Sequence, residues 1–459
     1  MFGAVLPALQ SSRDVLPGLN IGPGPSGLPK GSVVTPWEPG LPASAPARAQ
    51  RQDGKPGLFS LVSYIGPGWV TSQGSLGGAL DCPSVSACYM TGEGGPSKPP
   101  YVGPAFLDAV YFSADTGASW SSLKLPAGFR FSVGLPLTCG STEDCAGAGV
   151  LGTKPAIIST TDGGHSWTVV PLALPGPLGS LSCAPGPVCY GTIGLFPPGK
   201  TGRFVPVQEL VSTTNGGRSW TIDALPGAIE VLTLACPSSR ECVGAEELKS
   251  TALTVPSVAF VVSADGGRTW TMGRLSSRDG QGWPQNFSCA NSEDCMAVSE
   301  SGFASFPDQA RRCPAHFTRS VMSASSPGPG QYPVTYYQCQ GMITGKVLRT
   351  TDGGKDWQVL PLHDQNWGGY SLQGLSGGGG SEFGPTLSCS SADSCWLISP
   401  SFVVATTNGG RSWSAQHLPS NHSIGSISCP EADGCIALGF TPATGHSVAV
   451  YSSISASER

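Results

Sequence analysis

Charge is what this 459-residue sequence has least of. Asp, Glu, Lys and Arg together make up 12% of it, and the formal net charge is −5 with no basic run. That share is about half the usual one. Nucleic acid is held by cationic patches that neutralise phosphates, so no nucleic-acid partner is expected. No stretch approaches the ~20 consecutive apolar residues that cross a bilayer, so no membrane span is expected. Residues 2–9 are apolar, but they are few, contain a proline and follow no basic residue. They make no clear export signal, and residues 1–56 read as a flexible Pro/Gly/Ala-rich leader. Long helices are disfavoured by 64 glycines and 42 prolines, a density that suits short strands joined by tight turns. No strained serine elbow, phosphate-cradling glycine loop or HExxH helix occurs, and no cofactor is expected.

What the sequence does have is cysteine. There are sixteen, and fourteen fall into C-x5-C pairs: Cys82/Cys88, Cys139/Cys145, Cys183/Cys189, Cys236/Cys242, Cys289/Cys295, Cys389/Cys395 and Cys429/Cys435. A short polar and apolar lead precedes each pair, turn-forming residues sit inside it, and an apolar run usually follows. This is the pattern of strand, tight turn, strand, with the cysteines facing across a hairpin. Directly opposed antiparallel residues lie ~4.5–5.5 Å apart at Cα, within reach of a disulfide. Structural zinc prefers a spacing of two to four and two such knuckles per ion, and only six histidines are present. Disulfides are therefore expected and metal is not. Such a density places the chain in an oxidising compartment, extracellular or periplasmic. The leftover Cys313 and Cys339 are expected to pair with each other.

A second motif, S/T-x-D/N-x-G-x-x-W, alternates with the first. Its six copies begin at Ser113, Thr160, Thr213, Ser263, Thr350 and Thr406 and end at Trp120, Trp167, Trp220, Trp270, Trp357 and Trp413. Asp or Asn followed by Gly is a strong hairpin signal. The acidic or amide oxygen can accept backbone N–H groups inside the turn, and Gly supplies positive φ. The Trp then opens the next strand with a large apolar surface. Asp115, Asp162, Asn215, Asp265, Asp352 and Asn408 are thus read as structural; the neutral Asn in two copies argues against metal binding or catalysis. These copies resemble the Asp-box, or BNR, repeats of sialidases, sortilin-type receptors, xyloglucanases and a photosystem II assembly factor, all β-propellers. The resemblance covers about residues 58–453. It implies fold far more than function, because unrelated activities share the box.

Each unit reads as strand A, cysteine turn, strand B, loop, strand C, box turn, strand D. Seven cysteine pairs then predict an all-β, seven-bladed β-propeller of four-stranded antiparallel blades over 57–459. The last pair is followed by one more strand, 446–453, but no box. Its blade is expected to borrow strand D from the N-terminal side, at 68–73, closing the ring. The run 58–65 is left as an extra edge strand or part of a degenerate eighth blade. In this order the cysteine and box turns share one face of the ring. Long insertions at 299–345 and 361–388 leave from the other, where ligands are expected.

Those insertions and their neighbours carry Trp283, Tyr332, Tyr336, Tyr337, Asp364, Trp367 and Tyr370. Aromatic platforms beside amides and carboxylates suit carbohydrate stacking or a protein epitope. The expected function is an exported, disulfide-stabilised binding or scaffold module, monomeric, for a glycan or a surface protein. One alternative is a sialidase-like glycoside hydrolase with a divergent site, since Asp279 and Asp364 could supply the two carboxylates. The Arg-Ile-Pro motif of sialidases is absent, however, and Phe129-Arg130-Phe131 does not replace it. An assembly factor for a larger complex is the other alternative.

Overall fold

The structure is a computed structural model that describes residues 59–65, 80–92, 106–132, 137–172, 178–193, 209–225, 231–248, 257–275, 284–299, 302–307, 318–323, 335–343, 346–360, 386–399, 402–416, 423–431, 434–441 and 446–452. The leader 1–56 and Cys313 lie outside them. Every regular element among the described residues is a strand, and the strands form sheets in a propeller-like arrangement, antiparallel but for one parallel pairing of Thr271–Leu275 with Asp356–Val359. The third unit shows the plan. Strands Leu178–Cys183, Cys189–Ile193, Glu209–Thr213 and Thr221–Ala224 pair in chain order as A, B, C and D. Strand B is buried at every position, whereas strand D is exposed at every position. Burial on both faces explains why the B strands lack the alternation of a half-wet sheet and read as continuous small or apolar runs.

Seven disulfides join the C-x5-C pairs, with Cα atoms 4.0–4.1 Å apart. Cys139, Cys183, Cys289 and Cys389 stand directly opposite Cys145, Cys189, Cys295 and Cys395, as expected of cysteines facing across a hairpin. The other three bridges depart from that expectation of paired register. In the fourth unit the ladder ends at Ala235↔Val243, so the Cys236–Cys242 bridge closes one step beyond it. In the seventh, the register shifts between Ser428 and Glu431, and Cys429 and Cys435 sit between the pairs Ser428↔Ile436 and Glu431↔Gly434. A shift between Asp81 and Ser84 does the same to Cys82 and Cys88 in the first. In all three the sulfurs hold the strands at the same separation where regular pairing is interrupted or has ended.

So short a separation marks the non-hydrogen-bonded kind of antiparallel pair, in which the backbone groups of both residues point away from each other. The N–H of the first cysteine therefore lies on the free edge of strand A. A side chain from the preceding unit caps it, always from the residue just before that unit's own first cysteine. Ser428 Oγ accepts Cys82 N–H at 3.0 Å, Asp81 Oδ2 accepts Cys139 at 2.8 Å and Thr138 Oγ1 accepts Cys183 at 3.3 Å. Ser182, Ser288 and Ser388 do the same for Cys236, Cys389 and Cys429 at 2.8–3.0 Å. Only Ala235 lacks an oxygen for the seventh such link.

The box turns repeat as closely. In the second unit Thr160 Oγ1 accepts Gly164 N–H at 2.8 Å and donates to Asp162 Oδ1 at 2.7 Å. Asp162 also accepts Ser166 N–H at 2.9 Å and the Ser166 hydroxyl at 2.5 Å. Where Asn215 and Asn408 replace Asp, their Oδ1 still accepts the backbone N–H, while Nδ2 donates to Ser219 or Ser412. The second glycine has a further reason to be glycine. Gly217, at φ +78°, abuts Ser159 of the preceding unit so closely that a Cβ would lie 2.2 Å from its Oγ. The tryptophan after it reaches the same neighbour, as where Trp357 stacks on Phe260 with ring centroids 4.3 Å apart.

The fourth and fifth units join through their D strands into one eight-stranded sheet, and two others depart from the strand plan. In the second, strand A is split into Phe129–Ser132 and Thr138–Cys139, and Phe106–Leu107 adds to its edge. In the seventh, strand D is Phe59–Ile65, which pairs with His446–Ser452 from Phe59↔Ser452 to Ile65↔Ser447. The sequence placed that strand at 68–73, on the strength of Trp69; residues 68–73 lie outside the described residues. The connection expected over 361–388 also ends earlier, since strand A of the sixth unit starts at Thr386.

Two outcomes are expected. Ser388→Ala should lower stability by about 1 kcal/mol and speed exchange of the Cys429 amide, read by chemical denaturation and hydrogen exchange. The Asp162 carboxyl is held down to about 2, chiefly by the Ser166 hydroxyl and then by its N–H. A carboxylate depressed in the fold contributes stability above its unfolded pKa of ~3.9 that is lost as pH falls through the folded value. Asp162→Asn should therefore flatten the loss of melting temperature between pH 4 and pH 2, while Asn215→Ala leaves that slope unchanged.

Candidate functional site

Both kinds of turn lie at one end of the sheets. The second cysteine stands opposite the first box residue in each of the six box-bearing units, from Cys88↔Ser113 through Cys242↔Ser263 to Cys395↔Thr406. In the seventh unit, which has no box, Cys435 takes Ser452 as its partner instead. The first box glycine then donates its N–H to the cysteine turn of its own unit: Gly163 to Glu143 O, Gly216 to Pro187 O, Gly266 to Arg240 O, Gly353 to Glu293 O and Gly409 to Asp393 O. Side chains add links across units. Tyr89 and Tyr190 donate to Thr142 O and Ser239 O at 2.6 Å, and Arg349 joins Gly409 O to Asp294 at 2.9 and 3.2 Å. The crevice beside Arg349, lined also by Met296 and Ser391, is too narrow for a water molecule. The backbone groups of these turns are thus largely satisfied by the protein itself, whereas the buried indole N–H groups of Trp167, Trp220, Trp357 and Trp413 find no partner among the described residues.

The opposite end is where chain has been added. In the fifth unit, strand B (Cys295–Ser299) runs from the disulfide to its far end, and strand C (Val347–Thr350) runs back to the box. Between them lies a separate three-stranded sheet of Gly302–Pro307, Thr318–Ser323 and Thr335–Ile343, with the last strand central. Its two stems are tied at the base: Ser299 N–H donates to Lys346 O, and Lys346 N–H to Ser299 Oγ, both at 2.9 Å. The buried Ser299 holds the stems at the spacing of a tight turn, so the excursion leaves the parent sheet unbroken.

Of the candidate ligand residues, Tyr336 and Tyr337 fall on the central strand of this added sheet, in register with Met322 and Val321. Cys339 lies on the same strand, opposite Phe306 and Arg319. Trp283, Tyr332, Asp364, Trp367 and Tyr370 lie outside the described residues, as does Asp279. Among the described residues no group of acidic, histidine or cysteine side chains is arranged to hold a metal.

One residue that pattern reading passed over stands apart. Asp81 occupies the capping position before a first cysteine, where Thr138, Ser182, Ala235, Ser288, Ser388 and Ser428 are uncharged. Burial pushes its carboxyl up to about 6, against the lowering effect of bonds from Cys139 N–H, Cys82 N–H and the Thr138 hydroxyl. The signal was present in the sequence, as one acid in a column of small neutral residues. Its meaning depends on a neighbour 58 residues away.

No protein-family model matches the chain, and no curated protein matches it in sequence. Solved structures do resemble it. The RRP9 WD40 repeats are 12% identical over 86% of this chain and 97% of that one, with a TM-score of 0.50. U3-55K is 12% identical over 86% and 98%, with a TM-score of 0.49. YCF48 bound to D1 peptide is 13% identical over 88% and 98%, with a TM-score of 0.46. At these identities the likeness to the RRP9 repeats speaks for a propeller fold and for nothing finer.

Proposed function

We propose that the chain is a closed, seven-bladed propeller of the Asp-box class, exported to an oxidising compartment, that binds a glycan or a surface protein at the end opposite its turns. Seven seams support the ring. Each hydrophobic cluster draws on two consecutive units: Val110 with Phe131, Ile157 with Val211, Leu210 with Val261, Phe260 with Leu348, Val298 with Leu397, and Trp396 with Ile424. The seventh cluster joins the last unit to the first, through Ile436 and Leu438 against Leu80 and Met90. Leu80 N–H also donates to Ser426 Oγ at 3.2 Å. Seven disulfides among the described residues are consistent with export, since such bonds persist where thiols are oxidised.

The observation that carries the binding reading is the added sheet. It interrupts a unit whose fold does not need it, and it leaves from the end that is free of cysteine and box turns. Added chain on a rigid scaffold is where binding residues gather. The 361–385 connection of the same unit, which carries Trp367 and Tyr370, joins it to strand A of the next from the same end.

The test is excision. Residues 301–344 are replaced by Gly-Gly between the stems that Ser299 and Lys346 already tie. The intact and shortened proteins are then compared on a glycan array and on a displayed-peptide library. The shortened protein is expected to keep a cooperative melt and seven disulfides by mass. It should lose affinity by more than tenfold, about 1.4 kcal/mol. Full affinity after excision, or no ligand for the intact protein on either panel, would sink the reading.

A further inference from the structure

We propose that Asp81 makes the seam between the first and second units a pH-sensitive joint, which tightens when its carboxyl takes up a proton. The inference begins with place. Asp81 sits on strand Leu80–Ser84, directly opposite Tyr89, at the position just before a first cysteine, from which the side chain crosses to the first cysteine of the next unit. Of the six other residues at that position, five cap with a hydroxyl and Ala235 makes no cap. A hydroxyl does this work uncharged, whereas an ionised carboxyl does it as a charge at a partly buried position, drawn from bulk water at a cost that no cation among the described residues beside it offsets.

Among the described residues no cation stands beside it. Four strands pack against Leu80–Ser84. Ala87–Gly92 carries Tyr89, whose hydroxyl is engaged with Thr142 O and whose pKa is pushed up to about 12, first by burial and then by Asp162 and Glu143. It stays neutral. Ser423–Glu431 carries one ionisable residue, Glu431, at its last position opposite Gly434. Gly434–Thr441 and Thr138–Cys139 carry no charged residue, and their Cys435 and Cys139 are in disulfides. What compensates the charge is chiefly the hydrogen bond from Cys139 N–H at 2.8 Å, with the Cys82 amide and the Thr138 hydroxyl also favouring the ionised form.

Protonation relieves this without breaking the cap. A proton from solvent adds to Oδ1, the charge is removed, and Oδ2 remains a carbonyl-type acceptor for Cys139 N–H. The folded pKa, raised to about 6, lies above the unfolded value of ~3.9. The penalty is therefore complete above about 6, shrinks as pH falls between the two values, and is gone below the lower one. Over that window acidification strengthens this seam, while the box aspartates, whose pKa values are depressed, are still ionised.

The experiment uses the intact protein. Carboxyl carbon signals of aspartate-labelled protein are followed from pH 8 to pH 3, with the Asp81 signal assigned by its loss in Asp81→Ser. A midpoint near 6 is expected; a midpoint near 4 would overturn the proposal. Melting temperatures of wild type and Asp81→Ser are compared at pH 7.5, 5 and 4. The wild type should gain on the variant at each step down, and parallel profiles would overturn the proposal as well. Ser182→Asp, which puts a carboxyl in the equivalent seam between the third and fourth units, should add a second acid-strengthened joint and steepen that dependence. If Asp81→Ser fails to fold, Asp81→Asn serves for assignment, and the wild-type titration decides.

Discussion

The structure depends on what happens at the free edge of strand A. Four strands make a sheet, but a sheet has two edges, and an unpaired inner edge invites either water or a foreign strand. The cysteine pair sharpens the problem, because its non-hydrogen-bonded geometry turns the first cysteine's N–H outward. The same geometry solves it. The residue just before that cysteine points a short oxygen-bearing side chain at the next unit's outward N–H, as Ser388 does for Cys429 at 2.9 Å. One structural rule thus sets the disulfide, leaves the amide unpaired and supplies the cap one unit further on. Where Ala235 breaks the rule, Ser292 Oγ and Glu241 bridge the neighbouring turns at 3.3 Å instead.

The box acts at the same end but further from the inner edge. Its Ser or Thr stands opposite the second cysteine, so the two motifs are coupled by register and not merely by sequence order. Its second glycine then lets the turn lie flat on the preceding unit, and its tryptophan covers what remains. This is why the pair of glycines cannot be relaxed at the second position. Positive φ alone would tolerate an Asn, but a Cβ at Gly217 or Gly354 would collide with Ser159 or with Val243 and Val262.

Much of this was legible in the residues because it is local. The C-x5-C pairs and the boxes each close within eight residues, so turn chemistry alone predicts them, and their alternation orders the strands. Even there the spacing says which cysteines join, not whether the ladder reaches them, as Cys236–Cys242 and Cys429–Cys435 show. What is not local was misread or missed. The last unit's strand D was sought at 68–73 because Trp69 fits the tryptophan spacing; the pairing with His446–Ser452 is made instead by Phe59–Ile65, a more apolar run. Spacing from the previous motif cannot decide between two candidate strands whose partner lies nearly four hundred residues away. Asp81 was missed for the same reason, since a single aspartate before a cysteine has no meaning until Cys139 is beside it. The insertion of the fifth unit was legible as an interruption, whereas its sheet order, with the third strand in the middle, was not.

The two ends of the sheets answer different demands, and the division follows from chain direction. Every unit must turn twice at one end within a few residues, and each turn must also fit its neighbour, so that end leaves little room for change. At the other end a pair of stems such as Ser299 and Lys346 can close the parent sheet beneath any length of added chain. A propeller built this way can acquire a new surface without renegotiating its core. The caps obey the same logic in reverse. A substitution at a capping position is felt by two units at once, so a carboxyl such as Asp81, tolerated there at a cost that depends on pH, ties the stability of a seam to the acidity of the medium.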